Sequence, residues 1–154
     1  MTYKAESIIF NKINISDIDI KISDLVLRSV FNNRKSFIEN SYALINMRLT
    51  RDNINKTLSN NKWKSLKTSI ETFISKSFQS VEIYNKSIYF ISSDGLSNKN
   101  FDYDLQYDKN SISLVNNINQ EKLSIFNDKN IIVKNLFFCE NHIELEIGSK
   151  IIFN

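Results

Sequence analysis

The sequence of 154 residues contains no proline, two glycines and one cysteine, and two of these shortages exclude whole classes of site. The single cysteine, Cys139, excludes an internal disulfide framework and a metal site made of cysteines alone. The isolated glycines Gly95 and Gly148 exclude glycine-rich phosphate loops, because such loops need several flexible positions close together. Familiar catalytic motifs are also missing, so we predict a protein that is not an enzyme and has no cofactor or metal.

Long apolar runs are missing as well. No run approaches the roughly 18 to 20 residues that a membrane span requires. The first residues show neither the basic nor the apolar region of a cleaved signal. Hydrophobic residues make up 42% of the chain, enough for a packed core. We therefore expect a soluble, cytoplasmic protein without a membrane span.

Helical periodicity dominates the first half of the chain. The opening segment before residue 23 is ambiguous and favours a strand. Thr50 is placed to cap one helix, with Leu49 and Ile54 as a hydrophobic staple around that cap. The clearest apolar stripe, from Trp63 to Ile74, belongs to the helix after it. The predicted helices cover residues 23–31, 36–47, 51–59 and 62–78.

Near residue 80 the period changes from about 3.6 to 2, which indicates strands. A hairpin is predicted from residues 81–84 and 87–91 around Asn85-Lys86. Further strands are predicted at 101–107, 111–116, 122–126, 131–138, 142–147 and 150–153.

The order of these elements predicts an α+β fold. Its helical N-terminal half carries a winged-helix-like helix-turn-helix plus hairpin, and a β-rich antiparallel C-terminal half follows. The corresponding regions are 1–95 and 96–154, either as two regions or as one continuous domain.

Positive charge is concentrated in the same helical half. The whole chain has a net charge of +3, whereas residues 27–76 hold ten Lys/Arg against three Asp/Glu, a net of +7. A basic helix-turn-helix region favours nucleic-acid binding by lysine–phosphate contacts. The residues predicted to make these contacts are Arg51, Lys56, Lys62, Lys64, Lys67 and Lys86.

A second hypothesis places function in the β-rich half. Short alternating strands offer edges to which another protein can add a strand. The chain would then be a protein-interaction module, a structural assembly subunit that can form a homo-oligomer, or an inhibitor of another protein. Acidic side chains on the exposed faces suit a basic partner, and they include Asp102, Asp104, Glu144 and Glu146.

One further group contains the only histidine of the chain. At a spacing of two, Glu140, His142, Glu144 and Glu146 would share one face of a strand. Such a group can hold a divalent cation or transfer protons, but the solvated face of a half-buried strand, or an edge strand protected by charge, is the preferred explanation. Cys139 has no sequence neighbour that would activate its thiol, so it is interpreted as a small buried hydrophobic residue.

Overall fold

The computed structural model describes residues 2–10, 13–23, 26–29, 36–39, 42–84, 87–92 and 103–150. Most of these described residues lie in strands. In chain order the elements are β1 (Thr2–Phe10), β2 (Ile13–Ser23), β3 (Val26–Ser29), β4 (Ser36–Glu39), β5 (Tyr42–Thr50), α1 (Arg51–Leu58), a 3₁₀ helix (Asn61–Trp63), α2 (Lys64–Phe73), β6 (Ser80–Tyr84), β7 (Ser87–Ile91), β8 (Tyr103–Asp108), β9 (Ser111–Asn116), β10 (Lys122–Asn127), β11 (Ile131–Phe138) and β12 (His142–Lys150).

The first sheet has five antiparallel strands in the order β1-β2-β5-β12-β11. Its central strand β5 pairs with β2 on one side and β12 on the other. Side chains of β5 alternate, so that Ile45 and Met47 pack into the core while Arg48 lines a surface pocket. This alternation leaves one face of the first sheet polar.

The second sheet also has five antiparallel strands, in the order β10-β9-β8-β7-β6. β9 supplies its most deeply buried side chains, Leu114 and Val115. Strands β3 and β4 pair with each other as a separate two-stranded sheet. Both five-stranded sheets combine strands from before and after residue 95, and the predicted division of the chain at that residue stays a prediction.

The two helices connect the first sheet to the second. Thr50 ends β5 and caps α1, since its side chain accepts a hydrogen bond from the backbone N–H of Asn53. α2 packs Ile70, and its C-cap residue Ile74, into the core beneath the second sheet. The chain leaves the helical direction at Ser75, where φ is +55°.

The sheets share a core made of two clusters. The larger one contains the helix residues Ile70 and Ile74, the aromatic ring of Tyr103 and, from β12 of the first sheet, Ile143. The smaller one joins Ile112 of β9 to Val133 and Ile147 of β11 and β12. Burial of these apolar side chains is the main force that holds the two sheets together.

The predicted helical N-terminal half is wrong. Residues 26–29, 36–39 and 42–50 form strands β3, β4 and β5, where helices over 23–31 and 36–47 were expected. The residues between these strands lie outside the described part of the chain. Helical spacing between Phe37, Ile38, Tyr42 and Ile45 suggested the second helix, but along β5 the apolar residues Ala43, Ile45 and Met47 also alternate with period 2. Pairing on both sides of β5 decides in favour of the strand.

The predicted winged helix is also wrong. α1 begins at the predicted Thr50 cap, and α2 starts near the expected residue but ends at Phe73 rather than at residue 78. The hairpin of β6 and β7 forms as predicted, yet it belongs to the second sheet rather than to a separate wing. Among the described residues, no helices precede α1 to support a helix-turn-helix.

The strands expected after residue 80 are confirmed within the described residues. β7, β9 and β11 have the predicted bounds, and the other strands differ from prediction at their ends. The strand expected at 150–153 lies outside the described residues except for Lys150, the last residue of β12. The opening segment forms strands, as the sequence favoured.

Candidate functional site

At the hairpin of β11 and β12, the side chains of Cys139, His142 and Glu144 lie close together. Cys139 Sγ, a ring nitrogen of His142 and a carboxylate oxygen of Glu144 all lie within 4.8 Å of one another. The backbone fixes this arrangement: Cys139 N–H donates to the His142 carbonyl at 2.9 Å, and Phe138 faces Ile143 in the preceding pair. Cys139 and His142 therefore lie opposite each other next to the turn. Glu144, two residues after His142, lies on the same face of the sheet.

The histidine ring lies between two oxygen atoms. Nδ1 of His142 lies 2.9 Å from Oδ1 of Asn141, and Nε2 lies 3.2 Å from Oε1 of Glu144. The His142 side chain is 17% exposed and that of Glu144 is 48% exposed, so the site is open to solvent from the carboxylate side. These contacts orient the imidazole and leave Nε2 facing the Glu144 carboxylate.

Four acidic or histidine residues were grouped from the sequence, and the structure separates one of them. His142, Glu144 and Glu146 follow one another on β12, whereas Glu140 is exposed in the turn. Cys139 was missed, because its neighbour His142 faces it only through the pairing of β11 with β12. Both strands were predicted. A turn at Glu140-Asn141 between them would have placed Cys139 opposite His142, and this was the signal that could have identified Cys139.

Arg48 of β5 extends the site across the first sheet. Its Nη1 donates to Oδ2 of Asp17 at 2.9 Å, and its Nη2 lies 3.7 Å from Oε1 of Glu144. Its Nε is buried without a hydrogen-bond partner in the described part of the chain. A shallow pocket of about 240 Å³ lies here, with Asn46 and Glu146 among its lining residues. The lining thus contains three carboxylates and one guanidinium, and the pocket is negative on balance.

The predicted nucleic-acid-binding residues lie mostly on the helical connection between the sheets. Arg51 is committed to carboxylates, since it pairs with Asp52 at 3.1 Å and with Glu82 at 3.3 Å. The hydrogen bonds to Asp52 and then Glu82 raise the pKa of Arg51. Among the described contacts of Arg51, none is with another basic residue of the predicted nucleic-acid-binding set.

The lysines of this set are spread along α1, the 3₁₀ helix and α2. Lys56 and Lys64 are exposed, Lys62 lies 5.9 Å from the Trp63 ring, and Lys67 lies 5.2 Å from the Phe78 ring. Lys86 lies outside the described residues. Because α2 packs beneath the second sheet, it does not have the position of a recognition helix. Phosphate contact by these lysines stays a prediction.

Three of the four edge strands of the five-stranded sheets are protected against pairing with another strand. The first of them is β6. Asn55 of α1 donates its side-chain amide to the Val81 carbonyl at 3.0 Å and accepts the Val81 N–H at 2.7 Å. One side chain thereby takes the place of a neighbouring strand at this edge. Capping of this kind removes the exposed N–H and C=O pair to which another chain would bind.

The edge at β11 is covered by the turn between β8 and β9. Val133 N–H donates to the Lys109 carbonyl at 2.9 Å, and the Asn110 side chain donates to the Ile131 carbonyl. The register of β11 against β12 also shifts at Lys134, so the strand carries a bulge. A bulge and a cover together prevent regular pairing along this edge.

The remaining edges, β10 and β1, differ from each other. The register of β10 against β9 shifts between Ser124 and Phe126, which places a bulge in the middle of this short strand. β1 has nine residues and keeps one register with β2 from Thr2 to Phe10. In the described part of the chain, β1 has β2 on one side and no strand on the other.

The chain matches no family model, no curated protein and no solved structure. Among the described residues, no helix combines the length and the apolar character needed to cross a membrane.

Proposed function

We propose that the protein is a non-enzymatic assembly subunit that pairs with a second copy of itself along β1. The observation that carries this proposal is the contrast between β1, a regular edge of nine residues, and the three outer edges that are bulged or covered. A regular unprotected edge binds another strand by main-chain hydrogen bonds. The interaction expected from the sequence is thus assigned to the first strand rather than to the C-terminal half.

The exposed charges of β1 favour a second copy as the added strand. Lys4 and Glu6 lie on one face of β1, with Ala5 between them. An antiparallel β1–β1 pair with its two-fold axis at Ala5 places Lys4 opposite Glu6 of the partner subunit, twice by symmetry. Opposite charges facing each other across strands contribute about 0.2–1 kcal/mol per pair, enough to select this register over its neighbours.

The ammonium group of Lys4 remains accessible for this contact. It lies 3.9 Å from Oδ2 of Asp19 on β2, and the Lys4 side chain is 76% exposed. An exposed pair of this length adds at most about 1 kcal/mol to stability. Lys4 can therefore lie between Asp19 of its own chain and a carboxylate of the added strand.

Charge reversal tests the proposal, with light scattering after size exclusion as the measurement. The unmodified protein is expected to dimerise as its concentration rises. Lys4→Glu and Glu6→Lys each oppose like charges across the axis, so each variant should shift the equilibrium toward monomer. The double variant K4E/E6K restores the pairing, and an equimolar mixture of the two single variants should form heterodimers.

Lys129→Glu is the matched control, since it reverses an exposed charge in the turn between β10 and β11 and should leave the dimer unchanged. Circular dichroism establishes that every variant keeps its sheet content. A protein that is monomeric at all concentrations overturns the proposal. So does a dimer that neither single reversal weakens.

A further inference from the structure

Three side chains of different ligand chemistry converge at the β11–β12 hairpin, at the edge of the first sheet farthest from β1. Cys139 offers a thiolate, His142 an imidazole nitrogen and Glu144 a carboxylate oxygen, all within 4.8 Å of one another. Sulfur, nitrogen and oxygen donors in one group are the ligands that Zn²⁺ takes in proteins. We propose that Cys139, His142 and Glu144 bind one Zn²⁺ ion, with a fourth coordination position open to solvent.

The observed spacing suits this ion. Zinc bonds of about 2.0–2.3 Å to N, O and S place the ligand atoms of a tetrahedral site roughly 3.3–3.7 Å apart. His142 Nε2 and Glu144 Oε1 are already 3.2 Å apart. Cys139 Sγ lies within 4.8 Å of the other two ligand atoms, and the hairpin hydrogen bond fixes its backbone opposite His142, so a rotation of its side chain toward them completes the set.

The surroundings of the histidine match those of a zinc ligand. A zinc-bound histidine usually donates its other ring N–H to an oxygen, which fixes the ring and its tautomer. Oδ1 of Asn141 lies 2.9 Å from Nδ1 and can accept that proton. Nε2 is then the metal-binding nitrogen, and it is the nitrogen that faces Glu144.

The same geometry argues against a thiol–imidazole catalytic pair. Both ring nitrogens already have an oxygen partner, and the described contacts of Cys139 include no hydrogen bond from its thiol to the ring. A nucleophile and its base must lie within hydrogen-bond reach. The three ligand atoms instead lie within 4.8 Å of one another, a spacing that suits the ligands of one ion.

Arg48 is the competitor that zinc must displace from Glu144. Its Nη2 lies 3.7 Å from Oε1 of Glu144, a long contact, whereas its Nη1 lies 2.9 Å from Asp17. Loss of the longer pair leaves the guanidinium paired with Asp17. The cost is small because exposed ion pairs contribute little to stability.

Titration of the reduced protein with Co²⁺, as a spectroscopic substitute for Zn²⁺, tests the site. We expect one Co²⁺ per chain, a near-ultraviolet thiolate-to-metal charge-transfer band and strong visible bands of a tetrahedral site, all abolished by added Zn²⁺. Cys139→Ser should remove the charge-transfer band. His142→Gln and Glu144→Gln should each weaken binding at least about tenfold, the loss that even an outer-shell partner typically causes.

Glu140→Gln is the matched control, since it removes an exposed carboxylate from the same turn and should leave the spectrum and the affinity unchanged. Thermal unfolding provides a second measurement: Zn²⁺ should raise the Tm of the unmodified protein but not that of the His142→Gln variant. No spectral change in excess Co²⁺ overturns the proposal. It is equally overturned if the His142→Gln and Glu144→Gln variants bind as the unmodified protein does. Neither result depends on dimerisation through β1.

Discussion

Asn55 and Val81 are joined by two hydrogen bonds, in which the amide of Asn55 donates to the Val81 carbonyl and its Oδ1 accepts the Val81 N–H. Asn55 lies on α1 and Val81 on β6, so the pair connects the helical segment to the second sheet. The asparagine side chain carries the same donor and acceptor as a peptide unit, which is why it can occupy the position of a neighbouring strand.

Asn55→Ala is expected to destabilise the fold by about 1–3 kcal/mol, because it leaves the N–H and C=O of Val81 without their partner. Urea unfolding followed by circular dichroism measures the change. Asn117→Ala is the control, since Asn117 is exposed in the β9–β10 turn and its substitution should alter stability by less than about 0.5 kcal/mol. Equal losses in the two variants would contradict a special role for Asn55.

A second asparagine, Asn53, connects the same helix to the first sheet. Its Oδ1 accepts hydrogen bonds from the backbone N–H of Thr50 at 3.0 Å, from Thr50 Oγ1 at 2.7 Å and from Ser16 Oγ at 2.9 Å. Asn53 is buried, so these donors have little access to water. The side chain therefore fixes the start of α1 against β2 and β5.

Asn53→Ala is expected to cost about 1–3 kcal/mol through the unpaired donors that it leaves. Asn53→Asp keeps the acceptor oxygen and adds negative charge to the first turn of α1, where the helix dipole favours it. The aspartate variant should therefore lose less stability than the alanine variant in the same urea unfolding experiment. An aspartate variant as unstable as the alanine variant would show that the acceptor is not what matters.

Local signals predicted the parts of the fold that are determined locally. The Thr50 cap and the period-2 stretches after residue 80 depend on near neighbours in sequence, and those elements formed where expected. β5 was mistaken for a helix because Phe37, Tyr42 and Ile45 also fit helical spacing. Its pairing with β2 and β12 joins residues far apart in sequence, which no local pattern contains.

The candidate site likewise has one part that the sequence predicted and one part that depends on strand pairing. Alternation along one strand predicted that His142 and Glu144 share a face, and they do. Cys139 joins them through the register of a hairpin, and Arg48 joins them through the pairing of β5 with β12. Arg48 could not be placed beside Glu144 from the sequence, because most of its strand, residues 42–47, was predicted to be helical.

Tyr103 is the buried ionisable group whose charge state affects the core most directly. Only 2% of the residue is exposed, and its ring contacts Phe90 at 5.6 Å and Phe73 at 6.0 Å between centroids. Burial, with a smaller contribution from the charge of Glu121, raises the pKa of Tyr103. The neutral phenol is thus favoured in the folded protein.

This raised pKa predicts a loss of stability at alkaline pH. The unfolded chain releases the Tyr103 proton near the ordinary tyrosine pKa of about 10, before the folded protein does, so the free energy of unfolding falls as pH rises through that value. Below it the contribution is fully present.

Tyr103→Phe should therefore reduce the loss of stability at alkaline pH. The measurement is the urea midpoint of unfolding between about pH 8 and 11, with each variant compared with its own midpoint at neutral pH. Tyr84→Phe removes the hydroxyl of an exposed tyrosine and should leave the decline as it is in the unmodified protein. Identical profiles for the unmodified protein and the Tyr103→Phe variant would contradict the assignment of this alkaline sensitivity to Tyr103.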